Sequence, residues 1–100
     1  MMRFEWDERK ARANRAKHGV SFDLARLVFD DPLHRSRQDR HEQGEERWQT
    51  LGMVSPDVLL LVAHTHADRD GEEVIRIISA RKATARERRR YEEGYRRSRA

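Results

Sequence analysis

Cysteine is absent from this 100-residue sequence, so neither disulfide bonds nor thiolate metal sites can stabilise the fold. Proline and glycine are scarce, with two and five copies, and no cluster of them divides the chain into domains. The longest apolar run, residues 58–63, has six residues and is too short to cross a bilayer. The first residues lack the apolar core of a signal peptide. We therefore expect one domain over residues 1–100, in a reducing cytoplasm.

Charge is abundant but unevenly distributed. Residues 81–100 contain nine Lys or Arg against three Glu, whereas the preceding residues have a slightly negative balance. A local positive field favours a polyanion such as RNA or DNA, or an acidic protein surface. The alternative is a solvated terminal segment whose end frays, which we consider for the basic tail at residues 95–100.

Two helices are predicted near the start of the chain. Asp7 is a suitable N-cap for a helix that continues to Lys17, and Gly19 stands where a left-handed residue commonly follows a helix. Ser21 can cap a second helix at once, and the sequence at residues 30–32, Asp-Asp-Pro, ends it. These two segments form a predicted helical hairpin.

Strand patterns surround and follow this hairpin. Five strands are predicted, at residues 3–6, 33–40, 47–54, 58–66 and 73–81. Short turns, at residues 41–45, 55–57 and 68–71, join the last four strands. Strands joined in this way pair with their sequence neighbours as an antiparallel meander, and the apolar strand at 58–66 belongs at its centre.

A third helix is predicted after the last strand. Thr84 and Glu87 have the spacing of a capping box, so the helix begins at Ala85. Gly94 is expected to end its regular part. The sequence therefore predicts an α+β fold, with a small antiparallel β-sheet packed with an N-terminal helical hairpin and a C-terminal helix.

Arg76 interrupts the apolar pattern of the last strand. Alternation predicts that Arg76 and Ala80 share one face of the sheet, and that His64 and His66 share a face in the neighbouring strand. Arg76 and His64 could meet if the register allows it. The alternative is that Arg76 lies at an edge or pairs with a nearby carboxylate.

Several further cations follow Arg76 and suggest a phosphate-binding surface. Arg81 and Lys82 directly precede the third helix, whose first N–H groups add positive potential. The helix itself adds Arg86, Arg89 and Arg90. Because arginine binds phosphate oxygens bidentately, we predict that Lys82 and the three helix arginines bind RNA phosphates.

Cleavage of RNA without a metal requires a base, an acid and fixed positive charge near the phosphate. His64 titrates near neutrality and is a candidate acid or base. Arg76 and Arg81 are candidates to stabilise the phosphate charge, and Tyr91 can donate a proton or stack on a base. These four residues are the predicted catalytic set, with no cofactor.

A metal site is the alternative use of the histidines. His64 and His66 share a face and Asp68 follows, but no standard zinc spacing appears, so we predict no metal. Trp6 and Trp48 are predicted to be core residues.

Four segments resemble the BrnT family of type II toxins: FEWDERKARANRAKHGVSF, VFDDP, GEERW with a following TLG, and IRIISARKATARERRRYEEG. The resemblance implies a RelE-like ribonuclease that cuts RNA without metal through basic side chains on its sheet, and that inhibits translation and growth. On the matching positions it implies a strand site of His64 and Arg76, with Arg81, Lys82 and Tyr91 around it.

The resemblance also implies a partner. This would be a BrnA-like ribbon-helix-helix antitoxin that neutralises the toxin in a 2:2 complex, with DNA contacted only through the antitoxin and no membrane involved. The alternative function is a non-catalytic module that binds nucleic acid or the antitoxin through the same arginines.

Overall fold

The computed structural model describes residues 2–42 and 45–99. Within these residues the order of elements is β1 (Met2–Glu5), α1 (Glu8–His18), α2 (Phe22–Ala25), a 3₁₀ helix (Arg26–Asp30), β2 (Arg35–Glu42), β3 (Glu45–Ser55), β4 (Val58–Arg69), β5 (Glu72–Lys82) and α3 (Ala85–Arg99). The predicted α+β class is confirmed. None of the helices in the described residues is long and apolar enough to cross a membrane.

The strands form a mixed sheet with the order β1-β5-β4-β3-β2. Strands β2 to β5 are the predicted antiparallel meander, with β4 at the centre. The prediction of a wholly antiparallel sheet is wrong, because β1 pairs with β5 in parallel. The helices and the meander between β1 and β5 supply the long connection that parallel pairing requires.

The helical hairpin begins as predicted and ends differently. The Asp7 carboxylate accepts hydrogen bonds from the backbone N–H groups of Arg9 and Lys10, and Gly19 ends α1 with a φ of 73°. The predicted second helix is correct only as far as Ala25, because the chain then tightens into the 3₁₀ helix. That segment packs closely on β3, where a Cβ on Gly52 would lie 2.7 Å from the Cβ of Val28.

Apolar clusters lie on both faces of the sheet. We call the side covered by α1, α2 and the 3₁₀ helix the hairpin face, and the other side the α3 face. The hairpin face holds the larger cluster, formed by Val20, Phe22, Ala25, Val28, Leu60, Val62, Ile75, Ile77 and Ala80. The α3 face holds a smaller cluster, in which Tyr91 packs with Leu51, Leu59 and Leu61. Most of the apolar burial is therefore on the hairpin face.

Asn14 fastens α1 to the sheet. Its Nδ2 donates to the backbone carbonyls of Ala80 and Val20, each at 2.9 Å, and its Oδ1 accepts from the Ala80 N–H at 3.1 Å. The pairing of β1 with β5 stops at Arg76, so the buried amide satisfies backbone groups that β1 does not reach.

Helix α3 starts at the predicted capping box. The Glu87 N–H donates to Thr84 Oγ1 at 3.2 Å, and the Thr84 N–H donates to Glu87 Oε1 at 2.8 Å. The predicted stop at Gly94 is wrong, because the helix continues to Arg99. Gly94 instead permits close packing, since a Cβ there would lie 2.8 Å from Cδ of Arg35.

A β-bulge in β5 changes which side chains share a face. Ala63 pairs with Ser79, but His64 pairs with Ile77, so Ile78 is the additional residue. Ala80 lies in the hairpin-face cluster, whereas Arg76 is placed on the α3 face by its pairing with Thr65. The prediction that Arg76 and Ala80 share a face is therefore wrong.

The strands extend into each of the three predicted turns. The β4–β5 connection is the two-residue turn Asp70-Gly71, with φ values of 53° and 82°. Asp-Gly is a favoured sequence for such hairpins because both positions require positive φ, so the strands continue up to it. Of the turn predicted at 41–45, residues 41–42 belong to β2 and Glu45 to β3, and residues 43–44 lie outside the described residues.

Candidate nucleic-acid interface

The structure places the four predicted catalytic residues in different surroundings. His64 pairs with Ile77 and lies on the hairpin face, whereas Arg76 pairs with Thr65 and lies on the α3 face. The predicted meeting of His64 and Arg76 is thus excluded by the register. Arg81, which pairs with Leu61, and Tyr91 lie on the α3 face.

His64 is buried and engaged through both ring nitrogens. Its Nδ1 lies 3.1 Å from the Thr65 carbonyl oxygen, which can only accept, so Nδ1 carries the proton. In the neutral ring Nε2 then accepts from the Thr50 hydroxyl at 2.7 Å, and Thr50 accepts from Ser36 at 2.7 Å. Burial lowers the pKa of His64 from 6.5 to about 4. The imidazole is therefore neutral at pH 7.

Arg81 is held by the carboxylate of the capping box. Its Nη1 and Nη2 donate to the two oxygens of Glu87, both at 2.9 Å. This hydrogen bonding raises the pKa of Arg81 and lowers that of Glu87 to about 2. The Arg81 guanidinium thus joins the end of β5 to the first turn of α3.

Tyr91 joins α3 to the segment that follows the 3₁₀ helix. It is 8% exposed, and its hydroxyl donates to Asp31 Oδ2 at 2.5 Å. Asp31 also accepts from the backbone N–H groups of Leu33 and Met53. Although burial opposes ionisation, these hydrogen bonds keep the pKa of Asp31 below its usual value.

The residues predicted to bind phosphate are divided between two environments. Lys82, Arg86 and Arg89 are exposed, whereas Arg90 is half-buried and lines a hollow between α3 and the sheet. This hollow has a volume of about 100 Å³. We call it the arginine hollow.

The arginine hollow combines cations with an apolar floor. Arg35 and Arg37 of β2 lie on one side and Arg90 of α3 on another, and the lining is completed by Ser36, Gln49, Leu51 and Leu61. Arg35 Nη1 donates to the Arg90 carbonyl oxygen at 2.6 Å, and Arg37 Nη2 lies 3.5 Å from Gln49 Oε1. The first of these contacts fixes a guanidinium at the mouth of the hollow.

More arginines continue on the same face towards β5. Arg47 pairs with Thr65, and Thr65 pairs with Arg76, so the register aligns the three side chains across β3, β4 and β5. Both arginines are half-buried, and Thr65 between them is 7% exposed. We call this row, together with the arginine hollow, the arginine face.

Sequence reasoning missed Arg35, Arg37 and Gln49. The signal was the period of two in Arg35-Ser36-Arg37, which puts both cations on one face of a strand. The sequence does not show on which side of the sheet these two arginines lie, because β2 is polar on both of its faces. Register is set where an apolar face is buried, and β2 has no such pattern.

The arginine face has the chemistry of a phosphate site. Guanidinium groups bind phosphate oxygens through paired N–H donors, and the buried Leu51 and Leu61 form an apolar floor in the hollow. Among the described residues no three His, Asp or Glu side chains are grouped so as to hold a metal ion. The guanidinium groups of the arginine face are of a kind that can bind a phosphodiester.

Comparisons with known proteins agree with this architecture. The family model described as the ribonuclease toxin BrnT of type II toxin-antitoxin systems matches residues 6–87. A search of curated proteins gave no match. Among solved structures, the 1.1 Å crystal structure of the Brucella abortus ribonuclease toxin BrnT is similar, with a TM-score of 0.64 and 23% identity. The match covers 84% of this chain and 99% of that chain, and it supports the fold.

Proposed function

Because the chain belongs to the BrnT family of ribonuclease toxins of type II toxin-antitoxin systems, we propose that it cleaves RNA on the arginine face without a metal ion. The proposed outcome is inhibition of translation and growth in the cytoplasm. The observation that carries the proposal is the arginine hollow, where Arg35, Arg37 and Arg90 converge over an apolar floor.

Fixed cations suit the chemistry of phosphodiester cleavage. Negative charge grows on the phosphoryl oxygens as the 2′-hydroxyl attacks, and donors already in place stabilise it without reorganisation. We propose that the arginine hollow binds the backbone and that Arg76, in the adjacent row, stabilises the phosphate undergoing cleavage. Arg47 lies across Thr65 from Arg76 and supports the same charge.

The roles of acid and base remain predictions for His64 and Tyr91. At pH 7 His64 is neutral, and it has its ring nitrogens bound to Thr50 and Thr65 on the opposite face. The Tyr91 hydroxyl donates to Asp31. These contacts support structural roles for both residues. Cleavage assays on variants of each residue distinguish a structural role from a role as acid or base.

A type II system pairs its toxin with an antitoxin, and we propose that the antitoxin covers the arginine face. Acidic side chains over this surface would block RNA access and match its charge. From the family resemblance, the partner is a BrnA-like ribbon-helix-helix protein in a 2:2 complex, through which DNA is contacted.

The direct test is cleavage of RNA by the purified protein in EDTA. We expect Arg37→Ala and Arg76→Ala to slow cleavage by about tenfold to a hundredfold, since charge-assisted phosphate contacts contribute about 1.5–3 kcal/mol each. Arg12→Ala is the matched control, because Arg12 is exposed on α1 on the other side of the sheet. Circular dichroism confirms that each variant folds.

Three results would contradict the proposal. Cleavage that occurs only after a divalent metal is added would contradict the metal-free mechanism. Undiminished cleavage by folded Arg37→Ala and Arg76→Ala variants would show that the arginine face is not the site of cleavage. RNA binding without any cleavage would instead favour the non-catalytic binding module.

A further inference from the structure

A second hollow lies on the hairpin face, beyond the 3₁₀ helix. Its volume is about 250 Å³, and its lining includes His34, His64, His66, Trp48, Phe29 and Ser36. We call it the histidine hollow. Of the four predicted catalytic residues His64 lines it, and it shares Ser36 with the arginine hollow. Sites for drug-sized ligands have about 300–1,000 Å³, so this volume suits a single flat ring system.

Aromatic and imidazole rings form the walls of the histidine hollow. Phe29 lies edge-on to His64, with ring centroids 4.9 Å apart, and to His34, with centroids 6.1 Å apart. Trp48 pairs with His64 across β3 and β4 and is half-buried, so it lines the hollow beside the imidazole. An aromatic side chain in this position offers a stacking surface for a base.

Three histidines supply polar atoms to the hollow, and His66 Nε2 lies 3.4 Å from Glu73 Oε1. His34 Nδ1 donates to the Asp31 carbonyl oxygen at 2.8 Å, so in the neutral ring its Nε2 is an acceptor. Burial lowers the pKa of His64 and keeps it neutral, although the hydrogen bond to the Thr65 carbonyl opposes this shift. An apolar slot with an imidazole acceptor complements a ring that carries an amino group on its edge.

The two hollows adjoin at the edge of the sheet. Ser36 lines both of them, and its neighbours Arg35 and Arg37 line the arginine hollow. Strand β2 is the outer strand of the sheet on this side. A nucleotide strand that crosses β2 can therefore place phosphates against the arginines and a base in the histidine hollow.

We propose that the histidine hollow is a nucleobase-binding subsite for RNA, stacked on Trp48 and selective for bases with an exocyclic amino group. The inference rests on the proposed RNA substrate and extends it to sequence preference. A protein side chain from the antitoxin is the competing occupant. The imidazole acceptor and the adjacent arginines favour a nucleotide, because it supplies both an amino group and a phosphate.

The first test uses tryptophan fluorescence with nucleotides as probes. The chain has two tryptophans, so Trp6→Phe leaves Trp48 as the reporter. We expect cytidine 5′-monophosphate to quench it saturably and ribose 5-phosphate to leave it unchanged. Uridine 5′-monophosphate has the same ring size without the amino group and should bind more weakly. Equal binding of the two pyrimidine nucleotides would overturn the role of His34.

The second test maps the ends of cleaved RNA. Trp48→Leu keeps an apolar side chain but removes the stacking surface, and we expect RNA binding to weaken by about 5- to 150-fold. The preference at the cut site should relax at the same time. Trp6→Phe, outside the hollow, is the control, and Trp48→Phe should restore much of the binding.

The results separate this inference from the proposed function. Cleavage that keeps its site preference in folded Trp48→Leu, or the absence of nucleotide quenching, would overturn the subsite and leave the ribonuclease intact. If Trp48→Leu lost antitoxin binding but kept nucleotide binding, the hollow would be a binding site for the protein partner, and the subsite proposal would also be overturned. Nucleotide binding by itself is measurable even if the protein cleaves no RNA.

Discussion

The ion pair between Arg81 and Glu87 fixes the first turn of α3, and replacing Glu87 by Gln tests its contribution. Hydrogen bonds from Arg81, followed by those from Thr84, lower the pKa of Glu87 from 4.5 to about 2. Glutamine has a similar shape and also serves in a capping box. The substitution therefore removes the charge with little change in packing.

The magnitude follows from the pKa of Glu87. A change from 4.5 to about 2 corresponds to roughly 3 kcal/mol of stability if it is fully expressed. The Glu87 side chain is 13% exposed but that of Arg81 is 37% exposed, so solvent screens part of the interaction. We expect Glu87→Gln to lower the free energy of unfolding by about 1–2 kcal/mol at pH 7.

The stability difference between the wild-type protein and Glu87→Gln should depend on pH. Because the folded pKa of Glu87 is depressed, its contribution is complete above 4.5 and is lost as the pH falls through about 2. Urea denaturation of both proteins over this range measures the difference. Glu92→Gln, exposed on the same helix, makes the same charge change and should shift stability by less than about 0.5 kcal/mol. A difference that is absent at pH 7, or independent of pH, would refute the reasoning.

Two further substitutions test buried groups. Burial depresses the pKa of His64, so stability should fall as the pH drops from 6.5 towards 4 by up to about 1.4 kcal/mol per unit, and His64→Leu should remove that slope in urea denaturation. An identical slope in both proteins would contradict this. Tyr91→Phe removes the hydroxyl bound to Asp31 and should lower the free energy of unfolding by about 1–3 kcal/mol, whereas unchanged stability in thermal denaturation would show that the bond contributes nothing.

The helix starts were predictable because each depends on a few neighbouring residues. Asp7, Ser21 and the Thr84–Glu87 pair all accept or exchange the expected backbone hydrogen bonds. The meander was predictable for the same reason, since short turns leave adjacent strands few other ways to pair. Gly94 shows the limit of local reasoning. It looked like a helix stop, but its lack of a side chain serves a contact with Arg35, 59 positions away in the sequence.

The location of the candidate site depended on features that have no local signature in the sequence. The extra residue Ile78 in β5 reverses the alternation of side chains, and no turn residue or change of composition marks it. Without the bulge, alternation put Arg76 on the same face as Ala80. The arginine hollow also brings Arg35 and Arg37 of β2 together with Arg90 of α3, a contact that only tertiary packing defines.

The division of charge between the two faces argues for where phosphate binds. Placing an ionised group beneath the helical hairpin would cost free energy, and His64 there is neutral at pH 7. Arginine stays protonated at that pH, so its charged group is favourable only where solvent or an anion can contact it. The α3 face provides such a surface, because Arg37 is exposed and Arg47 and Arg76 are half-buried beside it. We therefore expect a scissile phosphate to bind on the α3 face, and the neutral imidazole of His64 on the opposite face suits the proposed uncharged base.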